Sequence, residues 1–215
     1  MTISLPHYKL TYFPVPKVAC TSIKQMFYHI REGKPFERYV EDGKTVNVHN
    51  LYPTRSFSQV AQQKISDHVR LAVVRDPLQR FLSCYSNRVM FHRELSWAHI
   101  SADMQKAGAV PNPTLDQFIE RLDLYREASD SIRHHCDPMI QFLGGDPSYF
   151  TRIFSIKQMD LFTKRVQKIT GSMVVPGHSQ AGGKKLFVRD LAQAQRKKLR
   201  EFYEEDYDIY GGFLK

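Results

Sequence analysis

Twice in this chain a short apolar strand runs into a tight turn and then an amphipathic helix, and that repeated unit restricts the fold more than any other feature. The clearer copy begins with VRLAVV (69–74), a short apolar run typical of a buried parallel strand. Asp76 then caps a helix, Pro77 takes its first position, and Leu78, Phe81, Leu82, Tyr85 and Val89 form its apolar stripe. The other copy is YKLTYFPV (8–15), with Pro14 near the strand end because it cannot donate to the ladder. After its turn, from Ser22 onward, Ile23, Met26, Phe27 and Ile30 recur at i, i+3, i+4 and i+7, predicting a helix that stops near Gly33.

Further elements extend the alternation. TVNVHNLY (45–52) alternates weakly, YFTRIFSI (149–156) is a third strand candidate, and KQMDLFTKRVQKIT behind it reads as a helix ending at Gly171. Residues 93–113 are irregular, and Thr114 with Gln117 forms a capping box for LDQFIERLDLY. HSQAGGKK (178–185) reads as a basic loop, followed by a charged helix from about Asp190 to Tyr207. Strands alternating with helices predict an α/β fold, three layers α/β/α around a central parallel sheet, with ligands beyond the carboxyl ends of the strands. The 215 residues suit one domain, 1–215, with 93–147 as a helical or irregular insertion.

The balance of 31 Lys and Arg against 22 Asp and Glu gives a net charge of +9, which favours anionic partners. No apolar run approaches the roughly 18 residues of a membrane span, and MTISLPHYKL lacks the apolar core of a signal peptide, so no transmembrane segment and a cytoplasmic setting are expected. Three widely spaced cysteines, Cys20, Cys84 and Cys136, read as reduced thiols. None has an arginine six residues on, as a cysteine phosphatase would require. His134, His135, Cys136 and Asp137 are adjacent and point in different directions, so no metal site is expected there.

Both turns suit an anion. PKVACTS (16–22) sets Lys17 and the hydroxyls of Thr21 and Ser22 between a strand end and a helix N-terminus, where backbone N–H groups and the helix dipole favour negative charge. It is not a Walker A loop, since it has no glycine and its lysine precedes the loop; a Rossmann fingerprint is also absent. The second turn sets Arg75 at a strand end and Ser83 about two helical turns later, a guanidinium fork and a hydroxyl suited to a phosphate monoester. Taken singly, Lys17 also fits a solvated turn lysine, Thr21 a simple cap, and Arg75 a partner of Asp76. A nucleotide-kinase-like P-loop enzyme would need the missing glycine-lysine signature. A non-catalytic binder of nucleic acid or sulfated glycan would use KKLFVR or RKKLR, which equally fit a solvated helix face.

Together, PKVACTSIK and VVRDPLQRFLSCY resemble the two nucleotide motifs of sulfotransferases that use 3′-phosphoadenosine 5′-phosphosulfate (PAPS), especially the heparan 2-O and chondroitin 4-O carbohydrate type. The resemblance implies a P-loop-NTPase-like sulfotransferase fold, with Lys17, Ala19, Cys20, Thr21 and Ser22 around the 5′-phosphosulfate and Arg75 and Ser83 on the 3′-phosphate. Pro77 and Arg80 match the pattern structurally, and the Cys20 thiol reads as packing. HHCDPMIQFLGG (134–145) is similar to the family's H-x-x-P segment at His135 and Pro138, with Cys136 where an aromatic is usual. His178, Ser179, Lys184 and Lys185 stand where relatives have a basic loop over the adenine end. Lys157 follows the third strand where relatives often carry an acidic residue.

The implied reaction is in-line sulfuryl transfer, without a metal, from PAPS to a hydroxyl, leaving adenosine 3′,5′-bisphosphate. Lys17 would stabilise the leaving phosphate oxygen. A histidine suits the removal of the acceptor proton. His49, in VNVHNLY, stands where the 2-O branch places its base, and His135 is the alternative. The resemblance points to a carbohydrate acceptor and not to nucleic acid, with a lipid-linked or small-molecule hydroxyl also open. Without the membrane anchor of the Golgi relatives, the chain is expected to be bacterial. Sequence assigns no oligomeric state.

Overall fold

The computed structural model describes residues 2–177 and 182–215. In chain order its regular elements are β1 (Ile3–Leu5), β2 (Leu10–Phe13), α1 (Cys20–Glu32), β3 (Tyr39–Glu41), β4 (Lys44–Val46), α2 (Val48–Leu51), β5 (Val69–Val74), α3 (Pro77–Cys84), α4 (Ala102–Lys106), α5 (Leu115–Glu120), α6 (Leu122–Ala128), α7 (Asp130–Cys136), α8 (Ile140–Leu143), β6 (Arg152–Ser155), α9 (Met159–Thr170), α10 (Gln193–Phe202) and α11 (Glu204–Tyr210). Single 3₁₀ turns and one π-helical stretch, Tyr85–Phe91, link several of them. Among the described residues no helix is long and apolar enough to cross a membrane.

The chain divides into two compact units. The described residues of the first are 2–75, 139–177 and 209–215, and those of the second are 76–138 and 182–208.

The first unit holds a four-stranded sheet in the order β1-β2-β5-β6. β2, β5 and β6 are parallel, with Phe13 opposite Ala72 and Val74 opposite Ser155, while β1 pairs antiparallel with β2 at one edge. This is the mixed α/β architecture with a mainly parallel central sheet that the strand–helix alternation predicts. Successive side chains of a strand point to opposite faces, and β2 makes the two faces explicit. Tyr12 meets Phe27 of α1 and Phe162 of α9, both at 5.6 Å between ring centroids, so these two helices cover one face. Phe13 meets Phe57, Tyr149 and Phe150, which belong to short turns covering the other. The core strand β5 is fully buried from Leu71 to Val74.

Three local outcomes differ from the sequence reading. TVNVHNLY is not one strand: β4 ends at Val46, and Asn47 starts α2 through a capping box with Asn50. An asparagine oxygen that can satisfy the first free N–H groups outcompetes a weak period-two pattern. The irregular stretch 93–113 contains α4, capped by Ser101. The charged C-terminal helix is two, α10 and α11, with a break at Tyr203.

The second unit has its own apolar core, built on Leu78, Phe81 and Leu82 of α3 together with Phe118, Tyr125 and Ile132. Arg80 lies fully buried within it. Its Nη2 donates to the Asp137 carbonyl, the carboxylate of buried Asp206 lies 3.9 Å from Nη1, and the Tyr203 ring faces the guanidinium. An ionised side chain persists at such depth only when it is paired and hydrogen-bonded. Arg80, which matches the family pattern in sequence, is thus a core residue of the second unit.

Candidate active site

The carboxyl ends of β2 and β5 carry the residues of interest in the first unit. Between Phe13 and Cys20 the chain turns through Lys17 at φ 64° and Ala19 at φ 49°, both left-handed. The sequence has no glycine here, so two side-chain-bearing residues hold the conformation that glycine adopts without penalty. Each costs on the order of 1–2 kcal/mol, and strain of this kind collects where a loop must present its backbone to a ligand. Ala19 is the N-cap of the 13-residue helix α1 and offers no side chain to bond its first turn. The dipole of α1 and the backbone donors at its start therefore favour an anion at the loop.

Arg75, the residue after β5, donates from Nη1 to the Lys17 carbonyl at 3.1 Å. The two turns named in the sequence thus meet through a direct hydrogen bond, which sets a guanidinium beside the strained loop.

His49 also reaches this loop. α2 packs beside α1, and Asn47 holds the start of α2 by accepting from the His49 N–H at 2.8 Å. The imidazole Nε2 lies 2.9 Å from Thr21 Oγ1, and Nδ1 lies 3.1 Å from Lys24 Nζ. Lys24 is completely buried and donates also to Thr54 Oγ1 at 2.9 Å. Burial pulls its pKa down to about 8, with a smaller opposing pull from Cys20.

Sequence reading singled out neither Lys24 nor Thr54. A signal was present for the first: Lys24 shares a helical face with Cys20 and Phe27, at i, i+4 and i+7, and so points inward beside the apolar stripe. Cys20 opens α1 and is partly exposed, whereas Ser22 is buried.

Ser83, His135, Lys184 and Lys185 belong to the second unit. Ser83 lies in α3 and is partly exposed. Lys184 and Lys185 are exposed, and the Lys185 ammonium lies over the Phe187 ring at 5.3 Å. The π-helical stretch holds the backbone from Gly182 to Lys184: Asn87 donates to the Gly182 carbonyl at 3.2 Å and Ser86 donates to the Lys184 carbonyl. Gly183, at φ 107°, passes so close that a Cβ there would meet the Ser86 carbonyl oxygen at 2.5 Å. His178 and Ser179 lie outside the described residues.

His135 is tied at both ring nitrogens. Nδ1 lies 2.7 Å from the Ser131 carbonyl and Nε2 lies 2.8 Å from Arg88 Nη2, which also holds Glu94 through its Nη1 at 3.0 Å. A carbonyl only accepts and a guanidinium only donates. The ring is therefore the Nδ1–H tautomer, with its Nε2 lone pair turned to Arg88.

A cavity of about 620 Å³ along β6 is lined by Phe150, Arg152, Ile153 and Phe213 among others, and includes neither the loop, Arg75 nor His49. Among the described residues no group of three or more His, Cys, Asp or Glu could hold a metal ion.

Compared with known proteins, the chain matches the model of the Sulfotransferase family over residues 1–213. No curated protein and no solved structure matches it.

Proposed function

The chain belongs to the sulfotransferase family and is a transferase of that type, and from that premise we propose that it moves a sulfuryl group from PAPS to a carbohydrate hydroxyl, with Lys17 and His49 as the reacting side chains. The family implies PAPS as the donor of the sulfuryl group. The observation that carries the residue assignment is the hydrogen bond between His49 Nε2 and Thr21 Oγ1, which sets an exposed imidazole at the strained loop that also bears Lys17.

In this reading the start of α1, from Ala19 to Ser22, binds the 5′-phosphosulfate through its backbone donors and hydroxyls. Lys17 neutralises the charge that gathers on the leaving phosphate oxygen, the kind of stabilisation that a preorganised cation in a shielded site supplies. Arg75, with its charge fixed at the loop, serves the 3′-phosphate; the motif resemblance alone proposes Ser83 for the 3′-phosphate and His178, Ser179, Lys184 and Lys185 for the adenine end. His49 removes the acceptor's hydroxyl proton.

His135 is the weaker candidate, because its Nε2 faces a guanidinium that only donates and so holds the lone pair, whereas the Thr21 hydroxyl opposite His49 Nε2 can accept as well as donate. The net charge of +9 suits both a doubly phosphorylated nucleotide and an acidic glycan. Residues 93–147 form the acceptor side of a single sulfotransferase domain, and the setting is cytoplasmic.

The test is transfer of labelled sulfate from PAPS to a panel of glycans, lipid-linked sugars and small hydroxyl compounds, with formation of adenosine 3′,5′-bisphosphate followed in parallel. Glycan labelling lost in Lys17→Ala and in His49→Ala is the expected outcome. Full turnover in both variants would overturn the residue roles, and labelling of small hydroxyl compounds alone would overturn the carbohydrate acceptor.

A further inference from the structure

His49 does not stand alone as a base, and the arrangement around it has a chemical consequence. Its Nε2 faces Thr21, while its Nδ1 faces Lys24, a lysine with no exposed surface whose ammonium is otherwise held by Thr54. We propose that Lys24 is a positioning residue that takes up, through the His49 ring, the proton His49 removes from the acceptor. This rests on His49 being the base of the proposed sulfuryl transfer.

The hydrogen-bond geometry allows two states. With Lys24 as an ammonium, Nζ donates to Nδ1, the ring carries its hydrogen on Nε2, and Nε2–H donates to Thr21 Oγ1. That ring has no lone pair facing the loop and cannot act as a base there. With Lys24 as a neutral amine, Nδ1–H donates to the Nζ lone pair and Nε2 carries its lone pair on the side of Thr21, where it can accept a proton from a hydroxyl. Only the second state is competent, and it differs from the first by one proton.

The balance of the step follows. The acceptor O–H bond breaks and its proton goes to Nε2; the acceptor oxygen bonds to sulfur as the bond between sulfur and the leaving phosphate oxygen breaks. The Nδ1–H bond breaks and that proton goes to Nζ. The pair ends as ammonium and Nε2–H imidazole, the first state, and returns to the second by losing one proton to water. Burial places Lys24 near 8, above the value of about 6.5 for an unperturbed imidazole, so the amine is the stronger base and the proton comes to rest on it.

Of the titratable groups, Cys20 on α1 acts on Lys24 and opposes its lowering. Tyr28, Arg31 and Glu32, one to two turns further along α1, act on Tyr52 at the end of α2.

The experiment uses the whole chain labelled with ¹⁵N-histidine, its His49 signals assigned with His49→Gln. Between pH 6 and 10 the His49 ring is expected to change from the Nε2–H to the Nδ1–H tautomer with a midpoint near 8, and Lys24→Met to show no change at that pH. With PAPS and chemically desulfated chondroitin, kcat should rise through the same midpoint. In Lys24→Met the rise should move at least one pH unit lower, with a plateau reduced tenfold or more. A single tautomer across the range, or a Lys24→Met profile equal to that of the unmodified chain, would overturn the relay. The tautomer titration needs no variant to fold and no turnover. A tautomer change with no sulfuryl transfer to any acceptor would therefore overturn the proposed function and uphold the proton exchange between Lys24 and His49.

Discussion

Arg75 and Lys17, 58 residues apart in sequence, are joined by a hydrogen bond of 3.1 Å from the guanidinium Nη1 to the loop carbonyl. The bond fixes the cation at the end of β5 relative to the loop that follows β2. A guanidinium is a fork of several donors, whereas an ammonium is a single point of charge. Replacing the fork by a single ammonium keeps the charge and removes the fork. Arg75→Lys should raise the Kd for adenosine 3′,5′-bisphosphate by about 10- to 100-fold, the range of one or two lost charge-assisted hydrogen bonds. Isothermal titration calorimetry checks this, and unchanged affinity would remove Arg75 from the nucleotide site.

The loop stores strain at two positions, and its relief is measurable. Ala19 sits at φ 49°, where glycine carries no Cβ penalty. Part of the gain is offset because glycine also loosens the unfolded chain. Ala19→Gly should therefore stabilise the protein by up to about 1 kcal/mol, visible as a raised urea midpoint with an unchanged slope. Lys17→Gly should show a similar rise while losing about 10²- to 10³-fold in kcat, the usual effect of removing one charge-stabilising donor. A Lys17→Gly variant that is both less stable and fully active would contradict this account of the loop.

The thiols report on the same site without chemistry. Cys84 and Cys136 are buried with their sulfurs 3.3 Å apart, so neither is open to a reagent, and burial also pushes the Cys136 thiol well above the ordinary range. Cys20 is partly exposed at the start of α1. A chromogenic disulfide reagent should titrate one thiol in the native protein and three after unfolding. Adenosine 3′,5′-bisphosphate should slow the native reaction at least several-fold; an unaffected rate would mean the nucleotide does not cover the loop.

Much of this was legible in the sequence because local and long-range signals agree there. Residues 71–74 are both apolar and buried strand in the structure, and Asp76 caps α3 by accepting from the Gln79 N–H as its position before Pro77 implies. The same holds for Gly171, whose left-handed conformation ends α9. What escaped has a common cause. β1 is three residues long and gains its place only by pairing with β2; α2 depends on one capping asparagine. The helical period turns Lys24 inward with Cys20 and Phe27, but it is α2 that brings His49 and Thr54 to its ammonium, a contact between segments 25 and 30 residues apart that no local pattern encodes.

In the second unit the buried Arg80–Asp206 pair makes a stability prediction. Both side chains have no exposed surface, and removing one partner leaves the other charge in the core. Asp206→Asn should cost about 3–5 kcal/mol in urea unfolding, whereas Arg80→Met with Asp206→Leu together should cost much less. Equal costs for the single and double variants would show that the charges do not act as a pair.

Lys24 should leave its mark on stability as a function of pH. Its folded value, about 8, lies below the ordinary 10.5 because burial penalises the ammonium. Between these values the unfolded chain holds a proton that the folded chain has shed, so the Lys24 contribution makes stability rise as pH climbs from about 8 to 10.5. Below 8 both states are protonated and the cost of burying the charge is present in full, on the order of 3 kcal/mol. Lys24→Met removes that cost, and with it the hydrogen bonds to Thr54 and His49, which are lost at every pH. The difference in unfolding free energy between the variant and the unmodified chain should therefore shift by a few kcal/mol against the variant between pH 7.5 and pH 10.5. Chemical denaturation at a series of pH values measures it, and a pH-independent difference would mean that Lys24 keeps its ordinary basicity in the fold.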